Sequence, residues 1–280
     1  MKATSKSSSS ETTRLDSATI RAFALALDRA ERTGVQIPLI SQDYPATTMD
    51  EAYAIQNEWV GIKRSAGDET VGWKIGLTSK AMQSALSINI PDSGVLLRSM
   101  VFPNGARIPA DRFIQPRVEA EIAFITKAPI EAGDCSAEAI LAATDYIAPA
   151  IEILDTRIMR KDPRSNVARN VIDTISDNAA NAGIVLGHPV RSFRSLDLRW
   201  LGAILMRNGE VEETGLGAGV LNDPLISVGW LAQRLAQYGE RIEAGQIVLS
   251  GSFIRPVEAQ YPSHIVGDFG PFGRVECRFG

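Results

Sequence analysis

The segment Arg117-Val118-Glu119-Ala120-Glu121-Ile122-Ala123-Phe124 alternates apolar and other residues in the two-residue repeat of an extended strand. In such a strand Val118, Ala120, Ile122 and Phe124 line one side, while Glu119 and Glu121 point together from the other. Two like charges then stand as neighbours. Their face is either wet, or something cationic lies between them. Any fold containing this strand must bury its apolar face and account for the acidic one.

The rest of the chain can supply the burial. Of its 280 residues 45% are hydrophobic, enough for a sizeable core. Near the start, Asp16 or Ser17 can cap a helix carrying Ile20, Phe23, Ala24 and Leu27, with Gly34 at its stop. Thr48 and Glu51 have capping-box spacing ahead of Ala54, Ile55 and Trp59, and Gly67 ends that run. Beyond about residue 70, short apolar runs broken by glycine, proline and turn dipeptides predict strands at 71–77, 118–127, 147–154, 183–187, 203–208, 210–214, 246–251 and 274–279. Asn208-Gly209 predicts a tight hairpin, and Asp223-Pro224 the start of a helix that carries Trp230, Leu231 and Leu235 and closes at Gly239. The expected organisation is mixed α and β: a disordered tail over 1–12, a helical N-terminal region over 13–70, and a β-rich catalytic core over 71–280.

Charge and cysteine usage narrow the function. A formal net charge of −4 argues against general affinity for nucleic acid or an anionic membrane, which leaves small-molecule chemistry. Cys135 and Cys277 stand apart from other cysteines and from histidines, so neither a disulfide framework nor a cysteine-based zinc site is expected. The N-terminal serine run lacks the apolar core of a secretory signal, and no run reaches the length of a membrane span, which predicts a cytoplasmic protein.

Glu152, in Tyr146-Ile147-Ala148-Pro149-Ala150-Ile151-Glu152-Ile153-Leu154, adds a third carboxylate inside an apolar run, where it must be protonated, paired or metal-bound. One arrangement leaves Glu119 and Glu121 on a solvated face and pairs Glu152 with Arg157 or Arg117. In the other, the three converge into an all-oxygen site suited to a hard cation such as magnesium or manganese, and unsuited to zinc. His188 and His264 have the contexts of ordinary surface residues. Lys74, inside Val71-Gly72-Trp73-Lys74-Ile75-Gly76-Leu77, either snorkels to solvent or places an ammonium at a pocket floor, with Gly72 and Gly76 allowing a ligand close to the backbone. Ser176-Asp177-Asn178 and Ser250-Gly251-Ser252 with Arg255 are polar clusters that suit anion binding and ordinary turns alike.

The stretches GWKIGLTSKAMQ, FIQPRVEAEIAF, PAIEILDTRI, DTISDNAANAGIVLG, LDLRW, EAGQIVLSGSF and RPV resemble the hydratase and decarboxylase branch of the fumarylacetoacetate hydrolase superfamily, from about residue 40 onward. The resemblance implies a β-rich core of that family's type with the helical region beside it, assembly into homo-oligomers, and association with a pathway decarboxylase. It implies magnesium, or manganese, held by Glu119, Glu121 and Glu152, with Lys74 binding the substrate's 1-carboxylate or relaying a proton. The implied activity is hydration of a seven-carbon 2-oxo dicarboxylate in aromatic catabolism. Decarboxylation of a six-carbon 2-oxo dioate, hydration of a five-carbon dienoate, and a non-catalytic metal-dependent binder are the alternatives.

Within that reading Asp177 is an acid/base or water-orienting group, Asn178 its hydrogen-bonding neighbour, Ser252 part of the substrate pocket, and Arg255 the reader of a distal carboxylate. Hydrolase members of the superfamily use a histidine to activate water, and neither His188 nor His264 offers a counterpart, which disfavours carbon–carbon hydrolysis. The basic stretch Arg157–Val171 reads as a solvated connector, or as a loop over the site whose arginines attract an acidic substrate.

Overall fold

The computed structural model describes residues 14–85 and 88–280. The expected disordered tail, 1–12, lies outside the described residues. Helices α1 (Ser17–Thr33), α2 (Ile40–Asp43) and α3 (Met49–Ser65) come first. Strand β1 (Thr70–Gly76), helix α4 (Lys80–Ala85) and strands β2 (Asp92–Leu97), β3 (Val101–Phe102), β4 (Ala106–Ile108) and β5 (Arg117–Thr126) follow. Next are α5 (Ala137–Ala143), β6 (Thr144–Leu154), α6 (Val171–Ser176), β7 (Asn181–Leu186), β8 (Gly202–Arg207) and β9 (Glu210–Leu216). Helix α7 (Pro224–Ala236) and strands β10 (Ile247–Leu249), β11 (Val257–Glu258), β12 (Ser263–Asp268) and β13 (Arg274–Phe279) close the chain.

One mixed sheet runs β2-β1-β10-β5-β6-β7-β3, with β11 added to β5, and a smaller sheet runs β4-β13-β12-β8-β9. Strands β5 and β6 form the spine of the larger sheet. Val118, Ala120, Ile122 and Phe124 of β5 pair with Ile153, Ile151, Pro149 and Ile147 of β6, and this face enters the main core. That core also takes Ala24 and Leu27 of α1, Ile55 and Trp59 of α3, and Ile265, Val275 and Phe279 of the second sheet, so helices and both sheets share one apolar interior.

Local chemistry sets several boundaries where the sequence places them. Asp16 accepts from Thr19 N at the start of α1, and Gly34 ends it with φ +69°. Thr48 and Glu51 close a capping box on α3, and Asp223 caps α7 ahead of Pro224. Asn208 and Gly209, at φ +54° and +87°, turn the β8–β9 hairpin.

Strands β2, β3, β4, β11 and β12 have no counterpart among the expected ones. The first opens on Pro91-Asp92-Ser93-Gly94, which has the composition of a turn, and tertiary pairing with β1 overrides it. His264, expected in a loop, lies in β12 and pairs with Glu276 at 3.0 Å.

A candidate metal centre and active site

Strand register decides which side chains meet. Glu119 of β5 lies directly opposite Glu152 of β6, and Glu121 follows on the same face. Lys74 of β1 is partnered with Leu249 of β10, which is itself partnered with Ala123 of β5, so Lys74 belongs to that face too. Gly76 of β1 opposes Asp92 of β2. Lys74, Asp92, Glu119, Glu121 and Glu152 therefore all project from one side of one sheet. That side is not wet, because beyond the carboxylates it continues into a small apolar cluster of Leu96, Ala123, Ala150, Ile184 and Leu249.

Glu121 and Glu152 are fully buried, and one oxygen from each of Glu119, Glu121 and Glu152 lies within 4.8 Å of the others. Oxygens so spaced can all touch one hard cation at roughly 2.0–2.6 Å. The hydrogen bonding agrees with such an ion. Gly251 N donates to Glu121 Oε2 at 2.8 Å and Asn181 Nδ2 to Glu152 Oε1 at 2.6 Å, while Glu121 Oε1 and Glu152 Oε2 are buried without a partner among the described residues. Burial and then mutual repulsion push Glu119 up to about 8 and Glu121 well above the usual carboxylate range. The cluster thus resists holding its own charge and is shaped to hold a divalent cation.

Lys74 is buried, with Nζ 3.4 Å from Glu152 Oε1. Burial alone would lower its pKa, but Glu152, Asp92, Glu119 and Glu121 outweigh that and hold it above its ordinary value. In the metal-free protein the ammonium is the favoured form. Asp92 is buried beside it, with both oxygens unpartnered among the described residues; burial, opposed by Lys74, brings its pKa to about 6. Gly76 provides space for this carboxylate, since a Cβ there would meet Asp92 Oδ1 at 2.2 Å. Gly72 instead admits the Ile247 carbonyl, so the two glycines serve neighbours within the fold rather than a ligand.

A cavity of about 320 Å³ opens onto this face, lined by Lys74, Asp92 and Glu119 and by Arg117, Arg160 and Arg169. Of the other expected site residues, Ser252 lines it, with Oγ donating to Ile254 O at 2.8 Å. Asp177 does not. It is buried against the Arg157 guanidinium and accepts from Arg157 N at 2.8 Å and Ile158 N at 3.2 Å. Asn178 clamps β2, accepting from Val95 N at 2.8 Å and donating to Val95 O at 2.9 Å.

These two residues anchor a left-handed turn over Asn178, Ala179 and Ala180, at φ +54°, +51° and +60°, that places both alanines on the cavity wall. Arg255 does not line this cavity: it is at the surface, its side chain 78% exposed and paired with Glu213 at 2.6 Å. The basic stretch Arg157–Val171 contributes Arg160 and Arg169 to the wall, and Asp92 enters the site through a strand with the composition of a turn.

Comparison with models of known protein families finds no match. The chain is 50% identical over 258 residues to a 2-oxo-hept-4-ene-1,7-dioate hydratase of Escherichia coli, covering 92% of this chain and 96% of the relative. Its structure is similar, at a TM-score of 0.88 and 33% identity, to 4-oxalocrotonate decarboxylase from Pseudomonas putida G7 complexed with magnesium and adipate, covering 95% and 99% of the two chains. A fumarylacetoacetate hydrolase family protein from Yersinia pestis CO92 shares the fold at a TM-score of 0.54 and 14% identity, over 74% of this chain and 92% of that one.

Proposed function

Because the chain belongs to the hydratase and decarboxylase branch of the fumarylacetoacetate hydrolase superfamily, we propose that it adds water to 2-oxohept-4-ene-1,7-dioate to give 4-hydroxy-2-oxoheptane-1,7-dioate. The observation that carries this reading is the convergence of Lys74, Asp92, Glu119, Glu121 and Glu152, with oxygens of Asp92, Glu121 and Glu152 buried and unpartnered among the described residues, beside a cavity also lined by three arginines. Glu119, Glu121 and Glu152 would hold magnesium, the ion bound by the decarboxylase of similar structure. Bound there, the cation supplies positive charge for the oxygens of a 2-oxo acid.

The chain's own residues divide the remaining work. Lys74, buried against Glu152, binds the substrate's 1-carboxylate. Asp92 takes a proton from C3 as the electron pair moves toward the 2-oxo group, and returns it at C5, which brings the double bond into conjugation. Water then adds at C4, and a proton is delivered to C3. Asp177 has no part in this sequence, being held by Arg157; it supports the wall formed by Ala179 and Ala180.

Product identification by NMR tests the proposal, using metal-free and magnesium-restored protein with freshly generated 2-oxohept-4-ene-1,7-dioate. Metal-dependent appearance of the 4-hydroxy product is expected, and intact substrate over loaded protein would overturn it. The likeness to 4-oxalocrotonate decarboxylase supports a second reading, which release of carbon dioxide from 2-oxo-3-hexenedioate would establish.

A further inference from the structure

The basic part of the cavity wall is a built feature. Arg117 precedes Glu119 by two residues on β5 and shares its face, about 7 Å away along the strand. Arg160 and Arg169 come from the two arms of a small hairpin: Arg169 N donates to Arg160 O at 3.0 Å, Lys161 bridges to Ala168, and Asp162 N donates to Val167 O at 2.9 Å. The root of the hairpin therefore sets two guanidiniums side by side. Arg169 Nη1 is fixed by Thr156 Oγ1 at 2.9 Å, and Arg160 Nη2 by Gln115 O at 2.6 Å. Arg160 Nε is buried without a partner among the described residues.

Counter-charge comes from Glu258 and from Asp155, Asp173 and Asp177, each of which has other partners. Glu258 is engaged by Arg117 Nε at 2.7 Å and stands 3.9 Å from Arg160 Nη1. Asp155 accepts from Ile114 N and Gln115 N, Asp173 is held by Ser41, and Asp177 by Arg157. Burial, and then the like charge of Arg117 and Arg169, pulls Arg160 down to about 10. Arg117 and Arg160 share the Glu258 carboxylate, Arg169 lines the same wall, and Arg160 Nε keeps an unused donor, an arrangement that suits an anion.

We propose that Arg160 and Arg169, with Arg117 beside them, receive the carboxylate at the far end of the substrate and so select dicarboxylic over monocarboxylic 2-oxoenoates. This rests on the reading above, in which the 2-oxo acid end lies at Lys74 and the three glutamates.

Calorimetry on magnesium-loaded protein with adipate and hexanoate, neither of which can be hydrated, tests the arginines without turnover. Arg160→Met and Arg169→Met are each expected to weaken adipate about ten- to a hundredfold and hexanoate less than about threefold, with Arg160→Lys intermediate. The ratio of kcat/KM for the heptenedioate over 2-hydroxypenta-2,4-dienoate should fall in parallel. Equal losses on both ligands, or an undiminished preference for adipate, would overturn the proposal. Arg160, only partly buried, carries the test if the Arg169 variant does not fold. Wild-type protein that turns over neither acid would sink the hydratase reading, while adipate against hexanoate would still decide the arginines.

Discussion

Asp92 and Lys74 lie side by side, yet the same surroundings act on them in opposite senses. An apolar sheet face penalises both charges, but four carboxylates, Asp92 among them, favour the ammonium, whereas Glu152 disfavours the Asp92 carboxylate, which lies near 6 in the metal-free protein. A base must be ionised to work, so kcat/KM should fall at acid pH, approaching tenfold per unit, with a midpoint below the metal-free value of about 6 because a cation bound nearby favours the carboxylate. Asp92→Asn should remove that acid limb and lower kcat by about 10²–10⁴-fold while magnesium affinity, read by calorimetry, is retained. Glu152→Gln should do the reverse, weakening magnesium at least tenfold, because a neutral amide replaces a charged oxygen at the ion. Magnesium affinity equal to wild type in Glu152→Gln would remove Glu152 from the ligand set.

Helix α3 reaches the site through β2, and this gives the N-terminal helices a part in the chemistry. Tyr53 OH accepts from Ser93 N at 3.1 Å, and Gln56 Nε2 donates to Ser93 O and Ile175 O, both at 3.0 Å. Ser93 follows Asp92, so these bonds fix the height of the carboxylate. Gln56→Ala leaves two buried carbonyls without that donor and should cost about 1–3 kcal/mol, read from chemical denaturation. Its kcat should fall by more than that of Thr48→Ala, which removes the α3 cap for about 1 kcal/mol without touching β2. Equal effects on turnover would mean that α3 serves stability alone.

On the scale of the whole molecule, the five ionisable groups on one buried face make stability depend on pH and metal together. In the metal-free protein Glu119 has its folded-state pKa raised to about 8 from 4.5. Between those values the native state holds a proton that the unfolded state has lost, so stability declines as pH rises through that window, by at most about 1.4 kcal/mol per pH unit for one group. Thermal melts should show this decline from pH 5 to 8 without metal and its reversal with magnesium, whose binding releases protons. A metal-free Tm that rises over that range would overturn this account. The alternation around Glu119 and Glu121, the caps at Asp16, Thr48 and Asp223, and the Asn208-Gly209 turn were legible in the sequence, because each is a local signal whose physics operates within a few residues. Lys74 and the three glutamates were recognisable as residues out of place in apolar runs, though their meeting depended on the pairing of β1, β10, β5 and β6. Asp92 joined them through a strand with the composition of a turn, Arg160 and Arg169 through a hairpin that carries no period, and Arg255 was drawn off by Glu213 on the surface. Sequence thus determined what chemistry the chain carries. Tertiary structure decided which groups share the cavity, since strand register and the path of irregular backbone are set by contacts between residues far apart in the chain.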